Sequence, residues 1–187
     1  MSSAEPPQNA ATGWRARWHK WRQTRWFRWG SDAAFVVVLF VAVSMVQNRG
    51  LLPAGEHAPK LELTSLDGTA QTLGGPTPGQ RTLLVFWAPW CGVCGAESDN
   101  VDRVRRWLGD RVRVVSVALG YAGLDSVRDF VAEQSVAYPV LLGRDRVQKA
   151  YQVSAFPTLY VLDERGRIAH RATGYTTTLG MLWRLLV

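Results

Sequence analysis

Apolar positions in this chain follow distinct patterns, and each predicts a different element. Leu83-Leu84-Val85-Phe86-Trp87 and the segment from Val112 to Leu119 are near-continuous apolar runs. That is the pattern of strands buried on both faces of a sheet. Lys60-Leu61-Glu62-Leu63 alternates, Asp67-Gly68 is a turn signal, and Ala70-Gln71-Thr72-Leu73 follows, which together predict a hairpin. Val101, Val104, Trp107 and Leu108 recur at helical spacing and Gly109 ends the run, predicting a helix over 91–108 with those four facing inward. The same reading gives a strand over 81–87, a helix over 124–134 capped by Asp125, a strand over 138–142 and a short helix over 146–151. A strand over 158–162 then turns at Asp163-Glu164-Arg165-Gly166 into 167–173, and a last helix covers 176–187. Strands alternating with helices, then a hairpin, predict an α/β domain: a mixed sheet with helices on both faces.

The N-terminal pattern differs. Ala33 to Val46 is an uncharged apolar run, short for a bilayer span, since about twenty residues are needed. A buried helix, a cleaved signal peptide with a site at Ala42-x-Ser44, and an uncleaved signal-anchor compete. The long basic stretch ahead of the run suits an anchor best. There Trp14, Trp18, Trp21, Trp26 and Trp29 interleave with Arg15, Arg17, Lys20, Arg22, Arg25 and Arg28. Tryptophan favours the headgroup region and arginine the cytoplasmic side. The expected organisation is a basic cytoplasmic segment (1–30), a single transmembrane signal-anchor (31–47), a Gly/Pro linker (48–57) and a globular domain (58–187). The expected localisation is the inner (cytoplasmic) membrane, with the globular domain periplasmic or otherwise extracytoplasmic.

Charge refines this picture. Of the formal +7, residues 1–32 contribute six Lys/Arg against two acids, and residues 33–187 sixteen against thirteen. The globular part shows no basic face by spacing, so nucleic acid is not expected as a partner. The histidines, His19, His57 and His170, are far apart, so no zinc site, no other metal site and no cofactor is expected.

The two cysteines of the chain, Cys91 and Cys94, sit three apart where the strand ending at Trp87 hands over to a helix. A thiol at a helix N-terminus meets free N–H groups and the positive end of the dipole, which lower its pKa from about 8.5 toward 7 or below. The second thiol lies one turn on, in reach to close a disulfide. A purely structural disulfide is the duller reading, but so short a loop removes little chain entropy. Two thiolates could also hold Cu(I).

The element order, with Phe86-Trp87-Ala88-Pro89-Trp90-Cys91-Gly92-Val93-Cys94, Glu97, Val153-Ser154-Ala155-Phe156-Pro157-Thr158 and Val161-Leu162-Asp163-Glu164-Arg165-Gly166, resembles the thioredoxin fold. Over roughly residues 56–187 it looks most like the membrane-anchored, extracytoplasmic TlpA/ResA/CcmG-like group, which carries an extra N-terminal hairpin. The resemblance implies a thiol–disulfide oxidoreductase that reduces protein disulfides. Implied partners are apocytochrome c, copper-centre assembly or copper-stress proteins, and a membrane electron donor of the thiol–disulfide transporter type. It further implies that Cys91 attacks, that Cys94 resolves, and that Trp90, Phe156 and Pro157 meet the substrate, with Phe156–Pro157 cis. Trp87 reads as core. Two positions depart from the pattern: Asp99 stands where the group has a helix-kinking proline, and Val85 where thioredoxin has a buried acid. Glu97 is then the better candidate to move protons, with an ordinary surface acid as its alternative. The competing functions are a disulfide oxidase or isomerase, a Cu(I) chaperone, and a non-catalytic interaction module.

Overall fold

The computed structural model describes residues 50–187, together with Phe35, Val38 and Leu39, which are helical and exposed. The Trp/Arg block and most of the expected anchor lie outside these residues. The expected single-pass localisation at the inner membrane is corrected: among the described residues no helix is long and apolar enough to cross a membrane. The helix over Gly92–Leu108 reaches 17 residues but carries Glu97, Asp99, Asp102, Arg103, Arg105 and Arg106, charges a bilayer interior does not accommodate.

In chain order the elements are β1 (Leu61–Thr64), β2 (Ala70–Leu73), β3 (Arg81–Trp87), α1 (Gly92–Leu108), β4 (Val112–Ala118), α2 (Leu124–Glu133), β5 (Val140–Leu142), α3 (Asp145–Ala150), β6 (Thr158–Leu162), β7 (Ile168–Thr173) and α4 (Thr178–Leu186). Five strands form one sheet in the order β5-β4-β3-β6-β7. β3 pairs in parallel with β4, β4 in parallel with β5, and β6 runs antiparallel to both β3 and β7. β1 and β2 form a separate antiparallel hairpin. The loop joining β1 to β2 covers the β5 edge, where Leu66 N–H donates to the Val140 carbonyl at 2.8 Å, so that edge is not left open for pairing. This is the mixed-sheet thioredoxin architecture with the extra hairpin that the resemblance implied.

The apolar run of β3 is explained by its two buried faces. Leu84 and Phe86 join a core with Val115, Val117, Tyr151, Tyr160 and Leu162 on one side, under α3. Leu83 and Val85 join Val101, Val104, Leu159, Val161, Met181 and Leu185 on the other, under α1 and α4. In the first core the Phe86, Tyr151 and Tyr160 rings lie 5.0–6.0 Å apart. Their hydroxyls are paired, Tyr160 to the Tyr151 carbonyl and Tyr151 to the Pro59 carbonyl, each at 2.7 Å, which offsets the cost of burying them.

Several expectations are corrected. Trp107, placed inward by its spacing, is exposed, because the inner face of α1 passes through Val101 and Val104 and then Leu108. Asp125 does not cap α2: Gly123 holds the cap position without a side-chain bond, and Asp125 sits in the first turn paired with Arg128 at 2.9 Å. The last helix begins two residues later than expected, behind Thr177, whose hydroxyl accepts the Gly180 N–H. The expected linker is partly core. Leu51 is 3% exposed, and Glu56 and Gly55 exchange backbone bonds with Ile168.

Candidate active site

The site is built at the C-terminal end of β3. The Trp87 carbonyl accepts the Leu119 N–H at 2.9 Å, and the chain then turns so that Cys91 N–H returns to the Ala88 carbonyl at 3.0 Å. Cys91 occupies the N-cap of α1 in an extended conformation, and its Sγ accepts the Cys94 N–H at 3.2 Å. The sulfur thus takes the capping place that Ser, Thr or Asp usually fills. No acidic residue stands in the first turn, so nothing in that turn opposes negative charge on the sulfur. Cys91 and Cys94 are joined as a disulfide with Cα atoms 5.3 Å apart. Both are largely buried, at 9% and 4% exposed, among Trp87, Ala88, Ala118, Val127, Phe130 and Val140.

Around the disulfide the surface is apolar. Trp90 is 70% and Val93 50% exposed. The Trp90 indole N–H donates to the Gly120 carbonyl at 2.9 Å, and its ring meets Phe156 edge-on at 5.6 Å. Gly120 has φ +60°, a left-handed conformation that glycine adopts without strain, so this turn after β4 presents its carbonyl to the indole. Trp87, by contrast, is 3% exposed and stacks on Phe130 at 4.1 Å; it is core. The Phe156–Pro157 peptide is cis. Thr158 pairs with Phe86, which sets Pro157 beside the end of β3, and its carbonyl accepts the Gly174 N–H at 2.8 Å.

Glu97 is 1% exposed, so the surface-acid alternative fails. Its Oε1 accepts the Thr176 N–H at 2.8 Å, while Oε2 has no hydrogen-bond partner among the described residues. Burial pushes the carboxyl up to about 7, against the opposing pull of the Thr176 backbone and side chain. A carboxyl poised near neutrality, one turn beyond Cys94, is suited to exchanging protons. The Tyr138 phenol is pushed up as well, by burial first and then by the charge of Glu97. Asp99 is exposed, and α1 runs through it uninterrupted. Val85 is buried and apolar, which leaves Glu97 as the buried acid of α1.

The structure therefore brings Cys91, Cys94, Trp90 and Phe156 together, with Pro157 at the end of β3 and Glu97 behind the cysteine turn. Gly120, Asn100 and Thr176 were not foreseen as neighbours. Helical spacing held a signal for Glu97, since 97, 101, 104 and 108 fall on one face; Thr176, far off in sequence, left none.

The Redoxin family profile matches residues 53–181. The thioredoxin-like protein YneN of Bacillus subtilis is 31% identical over 133 residues, covering 70% of this chain and 78% of that protein. The thiol-disulfide oxidoreductase ResA of Bacillus subtilis is 30% identical over 125 residues, covering 66% of this chain and 69% of that one. Among solved structures, a Chlorobium tepidum protein assigned as thiol:disulfide interchange protein DsbE superposes with a TM-score of 0.65 at 22% identity. The match covers 72% of this chain and 96% of that one; at that identity it speaks for the fold alone.

Proposed function

The chain belongs to the Redoxin family and is a thiol–disulfide oxidoreductase, and from that premise we propose that it reduces disulfides in specific protein partners through Cys91. In the reduced protein the Cys91 thiolate attacks one sulfur of the partner's disulfide. That bond breaks, the released partner thiolate takes a proton, and a mixed disulfide remains. Cys94 gives up its proton and attacks Cys91 Sγ, expelling the second partner thiol. Two electrons have passed to the partner, and the protein is left with the Cys91–Cys94 disulfide. A dithiol donor of the thiol–disulfide transporter type restores it.

Cys91 at the N-cap carries this reading: the attacking sulfur sits at the start of α1 and accepts the Cys94 N–H. In the same reading Trp90, Phe156 and Pro157 bind the partner chain, and Glu97 takes and returns the Cys94 proton. Apocytochrome c, copper-centre assembly proteins and copper-stress proteins are the proposed partner classes.

The test is turnover of a disulfide-containing polypeptide such as insulin with a dithiol donor, alongside a redox titration of the cysteine pair. The wild type should reduce the polypeptide and Cys91→Ser should not. A midpoint of about −120 mV would make the protein an oxidant and overturn the reductase reading. Tight stoichiometric Cu(I) binding without reduction would replace it with a chaperone.

A further inference from the structure

The hydrogen bonds that place Glu97 continue one helical turn further, to Asn100, which is 5% exposed. Its Nδ2 donates to the Tyr175 hydroxyl at 2.9 Å and to the Thr176 carbonyl at 3.2 Å, and its Oδ1 accepts the Thr178 hydroxyl at 2.9 Å. A buried amide is costly unless paired, and here both donors and one acceptor site are used. All three partners lie within residues 175–178, where the chain leaves β7 and enters α4. The segment just before them is fixed to the other side of the site by the Gly174 N–H on the Pro157 carbonyl, at 2.8 Å. Between these attachments the Thr176 N–H meets Glu97 Oε1 at 2.8 Å. Capping of α4 does not need Asn100, because Thr177 supplies the cap.

We infer that Asn100 is a positioning residue for thiol–disulfide exchange: by clamping Tyr175, Thr176 and Thr178 it aims the Thr176 N–H at the Glu97 carboxylate. The inference rests on the exchange reading above, with Glu97 as its proton carrier. The Thr176 bond favours the ionised carboxylate and burial disfavours it. The influences on the Glu97 carboxyl are burial and the backbone and side chain of Thr176; the Tyr138 phenol nearby feels Glu97, Asp102 and Asp99. The cations of α1 and α4 are engaged or face solvent: Arg105 and Arg106 pair with Asp102, Arg184 donates to the Gly180 carbonyl, and Arg103 is exposed. Without the Asn100 amide the 175–178 segment loses three of its attachments, the Thr176 donors are no longer held on the carboxylate, and Glu97 stays protonated at neutral pH, where it cannot accept a proton.

The experiment uses the full chain with carboxyl-labelled glutamate, comparing wild type, Asn100→Ala and the milder Thr178→Val. The Glu97 signal is assigned by its loss in Glu97→Gln. Carbon NMR reads the Glu97 titration, and stopped flow reads the pH profile of exchange between the reduced protein and oxidised glutathione. The Glu97 midpoint should rise by about one unit in Asn100→Ala and by less in Thr178→Val, with the exchange profile moving alongside it. In the Asn100→Ala, Glu97→Gln double variant the profile should match that of Glu97→Gln alone. Should Asn100→Ala fail to fold, Thr178→Val carries the test. A Glu97 midpoint within about 0.2 unit of wild type in the folded variants would overturn the inference. So would an exchange profile that ignores the shifted midpoint, with the exchange reading intact. Absence of exchange in the wild type would overturn the underlying reading instead.

Discussion

Replacing Glu97 by glutamine should remove a pH dependence of stability whose size follows from its burial. The carboxyl rises from 4.5 to about 7 in the folded protein, so the folded state holds this proton more tightly than the unfolded chain. Its stabilising effect is complete below pH 4.5, declines as pH rises toward 7, and is gone above. At 1.36 kcal/mol per unit, the rise is worth about 3 kcal/mol. The side chain is 1% exposed, so solvent screening takes little from that figure. Glutamine keeps an oxygen for the Thr176 N–H but puts an NH2 where Oε2 has no partner among the described residues, a pH-independent cost of about 1–3 kcal/mol. The slope is therefore the readout. Urea unfolding of the oxidised protein and of Glu97→Gln, at intervals from pH 4.5 to 8, keeps the cysteines out of the titration. The difference between the two should swing by about 3 kcal/mol in favour of the variant as pH rises. Curves parallel within about 0.5 kcal/mol would refute the buried-acid argument.

The two tryptophans at the site should separate binding from stability. Trp90→Ala, at a 70% exposed side chain, should cost less than about 1 kcal/mol of stability yet raise KM for polypeptide disulfides, with exchange of oxidised glutathione within about twofold. Trp87→Ala empties a fully packed position against Phe130 and should cost about 3–5 kcal/mol in denaturant unfolding. Thr177→Ala removes the cap on α4 and should cost about 1 kcal/mol, read as a lower thermal midpoint with unchanged exchange rate.

Much of the fold was legible because burial leaves a local pattern. β3 reads as Arg81–Trp87 from its apolar run, and α1 from Val101, Val104 and Gly109, because both faces of the strand and one face of the helix are covered. The cysteine pair was legible for a related reason: the strand-to-helix junction sets Cys91 at the helix start. Trp107 misled because its spacing also fits a helix face, and only the position of the sheet decides which face is inside. Glu97 was half legible. Its spacing from Val101 and Val104 puts it on the inner face, but its charge argued for solvent, and its compensating donor comes from residue 176. Asn100 and the Gly120 carbonyl were out of reach, since their contacts span 75–78 and 30 residues and leave no periodic trace. The expected membrane placement rested on composition upstream of residue 50, and among the described residues no helix is long and apolar enough to cross a membrane.

The central claim is that Cys91 is the attacking sulfur and Cys94 the resolving one. Intact-mass analysis of reduced Cys94→Ala after brief mixing with a disulfide-bonded peptide tests this most directly. The account predicts one adduct of the peptide's mass per chain, mapped to Cys91 by digestion and released by dithiothreitol, while Cys91→Ser accumulates far less. Equal adducts on both variants, or an adduct that forms faster through Cys94, would contradict it.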